Sequence, residues 1–154
     1  MAERARALMN QIADAVVERL ETIGDGDGWL TQPQTVKRFA GIADKERPRP
    51  ALLVRVTGWG PNVPETNNRG DAAVELKILV LTRSAGNADE ALQDAVADVL
   101  SETGGGDPTY GQLCHGGLFP DSYVAETDIA DGGAGEGMAE VTLKGQALWS
   151  ATAP

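Results

Sequence analysis

The chain has 154 residues, with 23 acidic and 13 basic side chains and a formal net charge of −10. That length fits one domain, residues 1–154, able to bury its own core, and the single cysteine, Cys114, excludes an internal disulfide. The acidic balance argues against a basic nucleic-acid groove or attraction to an anionic membrane, though not against a position beside DNA that must pass without sticking.

The chain opens with a predicted helix over residues 2–22. Leu8, Ile12, Val16, Leu20 and Ile23 recur at helical spacing, Glu3, Asp14, Glu18 and Glu21 take the rest, and Gly24 is the expected C-terminal stop. No apolar run approaches the ~20 residues that span a bilayer, and the charged start is unlike a secretory segment, so synthesis in the cytosol is expected. After a loop over 24–33, a first strand is expected over 35–42, carrying Val36, Phe39 and Ile42. A charged, proline-bearing turn covers 44–50. Strand 51–57 alternates Leu52, Val54 and Val56 with Leu53, Arg55 and Thr57.

Residues 58–70 hold Gly58, Gly60, Pro61, Pro64, Asn67, Asn68 and Gly70, and read as a long loop of the kind that is either functional or disordered. Strand 73–82 is the clearest. Val74, Leu76, Ile78 and Val80 face one way, while the other side changes from Glu75 and Lys77 to Leu79 and Leu81. A wet face stays polar, so the second half of this strand is expected to be covered on both sides. Either a partner or the second helix accounts for Leu79 and Leu81.

That second helix is expected over 87–103, with Asn87 three residues before Glu90 as in a capping box, and Leu92, Val96, Val99 and Leu100 facing inward. Gly104 to Gly106 stop it. Residues 107–119 are ambiguous. A strand over 122–130, a Gly-rich hairpin connection over 131–137 and a last strand over 138–149 complete the chain. The order α-β-β-β-α-β-β argues an α+β fold, with a mostly antiparallel sheet of four to five strands and two main helices.

Candidate chemistry is sparse. His115 is the one histidine, so no histidine pair can hold a metal, and Cys114 beside it points the other way on an extended chain. Asp25 and Asp27 sit in a Gly/Asp run like the start of a calcium loop, but the closing position twelve is Val36, and a solvated turn accounts for them. Asp121, Glu126, Asp128 and Asp131 form an acidic cluster that suits either acid–base work or a solvated surface. Neither Gly-rich run has the Lys and Ser/Thr of a phosphate loop. No catalytic, cofactor-binding or metal residue is assigned.

The layout resembles a known family. The residues are Ile12-Ala13-Asp14-Ala15-Val16-Val17, then Pro50-Ala51-Leu52-Leu53-Val54, then Val74 to Val80 leading to Ala88-Asp89-Glu90-Ala91-Leu92, and Leu143 to Trp149 at the end. This arrangement is similar to the tail terminator proteins of long-tailed bacteriophages, the minor tail protein U-like family, and to tail-completion proteins joining head and tail. The resemblance implies a structural virion protein, made in the cytoplasm of a bacterial host. It would be a homo-hexameric ring on the head-proximal end of the tail tube, meeting the tube protein and a neck or head-completion protein. DNA would pass through its lumen without specific binding, with no cofactor, no enzyme activity and no membrane. Six copies would carry six times −10. A cyclic ring needs two different patches per subunit. The expected interface residues are Arg55, Trp59, Asn67, Asn68, Arg69, Leu79 and Leu81. A head–tail connector or stopper is the alternative, and a small enzyme using His115 or a ligand-binding α+β domain stands further off.

Overall fold

The computed structural model describes residues 2–41, 47–61, 69–84, 86–103, 123–131 and 135–150. Among these lie two helices, α1 (Ala2–Leu20) and α2 (Ala88–Thr103). The strands are β1 (Thr35–Arg38), β2 (Ala51–Pro61), β3 (Arg69–Arg83), β4 (Tyr123–Asp131) and β5 (Glu136–Ser150). The fold is α+β in the expected order. The strands form one five-stranded sheet, β1-β2-β3-β5-β4. It is mixed: β1 runs parallel to β2, and the other three neighbours are antiparallel. No described helix is long and apolar enough to cross a membrane.

Both helices lie on one face of the sheet. Ile12, Val16 and Leu20 of α1 are fully buried, and α2 contributes Leu92, Val96 and Val99. They pack on Leu52 and Val54, on Val74, Leu76, Ile78 and Val80, and on Ala139, Val141 and Leu143, the helix-facing positions of β2, β3 and β5. Removing one of the larger side chains here would cost about 2–5 kcal/mol. After α1, Gly24 adopts a left-handed φ of +95°, which an L side chain resists. At the start of α2, the Asn87 side-chain oxygen accepts the Glu90 amide at 3.3 Å, and the Asn87 amide group reaches back to the Glu90 carboxylate, closing the expected box. An ion pair of 2.5 Å between Arg19 Nε and Glu102 Oε1 joins the helices, and the Thr22 hydroxyl donates to the same carboxylate at 3.2 Å.

Three expectations change. The first strand is shorter than 35–42. The Phe39 amide still donates to the Val54 carbonyl at 2.9 Å, but Gly41, at φ +145°, turns the chain away, and Ile42 lies outside the described residues. The two ends of the expected loop 58–70 are strand, since β2 runs on to Pro61 and β3 begins at Arg69, and residues 62–68 between them lie outside the described residues. Gly58 sits where β2 bulges, between Val56 and Gly58, Gly60 pairs in register with Ala73, and Pro61 is tolerated because β1 pairs only residues 51–54 and, among the described residues, leaves that edge of β2 open. The hairpin connection also shrinks, because β4 ends at Asp131 and β5 starts at Glu136.

The second half of β3 is covered on both sides, as expected, but not by α2. Leu81 is 3% exposed and joins Ala51 and Leu53 in a small second cluster, with Phe39, Leu79 and Met138 packed against it. This cluster lies on the face opposite the helices. Among the described residues, Phe39, just after β1, is the side chain from outside β2, β3 and β5 that packs against it.

Candidate interface on the helix-free sheet face

Strand register places the side chains of this second face in rows. Ala51, Leu81, Met138 and Ala130 form one row across β2, β3, β5 and β4. Leu53, Leu79, Glu140 and Asp128 form the next, followed by Arg55, Lys77, Thr142 and Glu126. Phe39, Leu53, Arg55, Lys77, Leu79, Met138 and Glu140 line an open concavity of about 270 Å³. Its floor is apolar. The Arg55 guanidinium stands 5.5 Å from the centre of the Phe39 ring, a cation–π distance that fixes one wall.

Charge is unevenly settled along this face. At one end, Arg83 donates to Glu136 at 2.7 Å and Arg49 lies 4.0 Å away. The hydrogen bond from Arg83, and then the charge of Arg49, hold the Glu136 carboxyl below its usual range, against a desolvation that raises it. At the other end, Glu75 accepts the Thr57 hydroxyl at 2.8 Å and pairs with Lys144 at 3.8 Å. The middle is different. Arg55 is directly opposite Lys77, and Glu140 directly opposite Asp128, so like charges face each other across strands on both halves. Such pairs are destabilising where nothing of opposite sign intervenes. Among the described residues, Lys77, Glu126, Asp128 and Glu140 have no ion-pair partner.

Of the residues singled out from sequence, Arg55 and Leu79 come together in the concavity, with Leu81 buried beside it. Trp59 is not in a loop: it sits in β2 opposite Val74, half-buried against the main core on the helix side. Arg69 opens β3 opposite Ser150. Asn67 and Asn68 lie outside the described residues, as do Cys114, His115 and Asp121. Asp25 and Asp27 are exposed, and the Asp25 carbonyl accepts the Trp29 indole N–H at 2.9 Å. Glu126 and Asp128 are exposed on β4, which Asp131 ends. No group of three or more His, Cys, Asp or Glu among the described residues is placed to hold a metal ion.

Sequence reasoning missed Phe39, Lys77, Met138 and Glu140 as neighbours, because their meeting depends on register between distant strands. It also missed Asp98. This carboxylate is 4% exposed on the inner side of α2 and accepts the amides of Leu30 and Thr31 and the Thr31 hydroxyl. An acid interrupting the apolar stripe between Ala95 and Val99 was the available signal.

No protein-family model matches this chain, and no curated protein matches it.

Proposed function

We propose that this chain is a structural ring subunit of a long-tailed bacteriophage, a terminator seated on the head-proximal end of the tail tube and meeting the neck. The observation that carries the reading is the pair of unlike sheet edges. At one end of the sheet order is β4, nine residues long, with Glu126, Asp128 and Ile129 exposed. At the other is β1, four residues long, with Lys37 and Arg38. Head-to-tail assembly into a closed ring needs two different patches on one body, and edges of unlike length and charge supply them. The layout of elements described above, the net charge of −10 and the resemblance to the terminator family support the same reading.

In this reading the chain acts by geometry and catalyses nothing. It is made in the cytoplasm of the bacterial host and leaves in the virion. DNA passes through an acidic ring without being gripped, because like charge and counterions keep the phosphates off the wall. Arg55 and Leu79 remain candidates for contact with a neighbouring body.

The test is electron microscopy of the purified protein mixed with preformed tail tubes. The expected image is a six-fold ring at one tube end, with tube growth stopped there. Tubes that lengthen unchanged while the protein stays in solution would remove the reading, and capture by a neck protein in place of the tube would reassign it to a connector.

A further inference from the structure

We infer that β4 of one copy pairs antiparallel with β1 of the next, so that the sheet runs on from subunit to subunit with its helices on one side. This pairing rests on the ring reading and names the groups that close its seam. Among the described residues, β1 and β4 are the two ends of the sheet order β1-β2-β3-β5-β4. β2 runs with β1 and each later neighbour reverses, so β4 runs opposite to β1. A rotation axis lying roughly along the strands keeps the direction of β1 in the next copy. That strand therefore meets β4 in the antiparallel sense.

The hydrogen bonds fix which main-chain groups each edge presents. Thr35 and Phe39 turn their amides toward β2, donating to the Pro50 and Val54 carbonyls, so by alternation Val36 and Arg38 turn theirs away from the sheet. On the other side, the Ser84 amide donates to the Gly135 carbonyl, and the register from Arg83 with Glu136 onward is unbroken. Odd-numbered residues of β5 thus bond β3, and even-numbered ones bond β4. Ala130, Asp128 and Glu126 stand opposite Met138, Glu140 and Thr142, so it is Ile129 and Thr127 that turn their main chain outward.

One register satisfies both edges. Val36 opposite Ile129 sets Arg38 opposite Thr127, and both are hydrogen-bonded pairs of outward-turned residues. Val36 is half-buried on the helix side, and Ile129, on the same side, is 59% exposed, so an apolar side chain gains an apolar neighbour. Lys37 falls opposite Asp128 in the pair between, on the helix-free face, where side chains of an antiparallel ladder lie closest. Lys37 already has a contact within its own chain, and an ammonium with three donors accommodates a second. Asp128 has no ion-pair partner among the described residues. A shift of two residues either way leaves Val36 opposite Thr127 or Asp131 and loses the apolar match.

The test is disulfide trapping in a Cys114→Ser background, with the full chain assembled on preformed tail tubes. Lys37→Cys combined with Asp128→Cys places the two Cα atoms about 4.5 Å apart across the seam, within disulfide reach. Mild oxidation should give a ladder of covalent multiples of the 16.1 kDa chain on a non-reducing gel. Lys37→Cys combined with Ile129→Cys sets the thiols on opposite faces and should stay at one chain. Ile129→Pro is the second variant. It removes an amide that turns away from β5, so circular dichroism should show the fold kept, while ring formation weakens by about tenfold or more. Wild-type rings with no ladder from the matched pair, a ladder from the mismatched pair as strong as from the matched one, or rings undiminished in Ile129→Pro would each overturn the pairing and leave the terminator reading standing. Absence of a wild-type ring would remove both.

Discussion

Asp98 holds Thr31 twice, through its backbone amide at 2.7 Å and its hydroxyl at 2.6 Å, and so ties the segment after α1 to the inner side of α2. Both carboxylate oxygens also accept the Leu30 amide at 3.1 Å. Asp98→Ala would strand two amides that now bond a charge, at a cost of about 2–3 kcal/mol. Asp98→Asn keeps one acceptor oxygen and should cost less. Urea denaturation measures the loss, and hydrogen exchange at Leu30 and Thr31 locates it. Unchanged exchange at those two amides in Asp98→Ala would count against the tie.

Gly137 sits where β5 passes under α2. A methyl group there would lie 2.5 Å from Thr82 Oγ1 and 3.0 Å from Leu92 Cβ. Gly137→Ala is therefore expected to destabilise by about 1–3 kcal/mol through overpacking. The Thr82 hydroxyl is buried and has no hydrogen-bond partner among the described residues. Thr82→Val should then be neutral, or stabilising by up to about 1 kcal/mol, since nothing is lost and a buried polar atom goes. Thermal unfolding of the two variants separates crowding from polarity at one spot.

Glu136 makes the fold acid-sensitive at one end of the helix-free face. Its carboxyl is held below the usual range by Arg83 and Arg49, so the native state favours the charged form. The sign follows: the contribution is present above the ordinary carboxylate value and is lost as pH falls through the depressed folded value. The stability difference between wild type and Glu136→Gln should be level near neutrality and shrink in acid. A difference that grows in acid would reverse the assignment.

Leu79 and Leu81 are two residues apart on one strand and should answer differently to substitution. Leu81 is 3% exposed, so Leu81→Asp buries a charge and is expected to cost about 4 kcal/mol or more. Leu79 is half-buried at the concavity, and Leu79→Ser should cost about 1–2 kcal/mol while leaving the fold intact. Denaturant midpoints tell them apart. Leu79 is thus the residue for probing assembly, whereas loss of assembly in Leu81→Asp would report unfolding.

Much of the fold is legible in the sequence because it rests on local signals. The stripe of Ile12, Val16 and Leu20 and the cap from Asn87 to Glu90 each specify their element without outside help. Gly58, Gly60 and Pro61 misled because breakers have a second use, at bulges and open strand edges, which composition alone cannot separate from a loop. The candidate face was half legible. Leu79 and Leu81 stood out against the alternation of β3, but the meeting of Lys77 with Arg55, or of Glu140 with Asp128, is a matter of register between strands far apart in the chain. Asp98 was hidden for a similar reason: its partners lie 67 and 68 residues away.

The ribbon formed by β3 and β5 pairs residue for residue from Arg69 with Ser150 to Arg83 with Glu136. Fifteen extended residues reach about 50 Å, whereas the 19 residues of α1 make a rod of about 28 Å. The 16 residues of α2 make a rod shorter still, about 24 Å, so the paired ribbon is longer than either helix packed on it. The molecule therefore has a spine: a ribbon whose main chain is knitted together over its whole length, with the shorter helices laid against it.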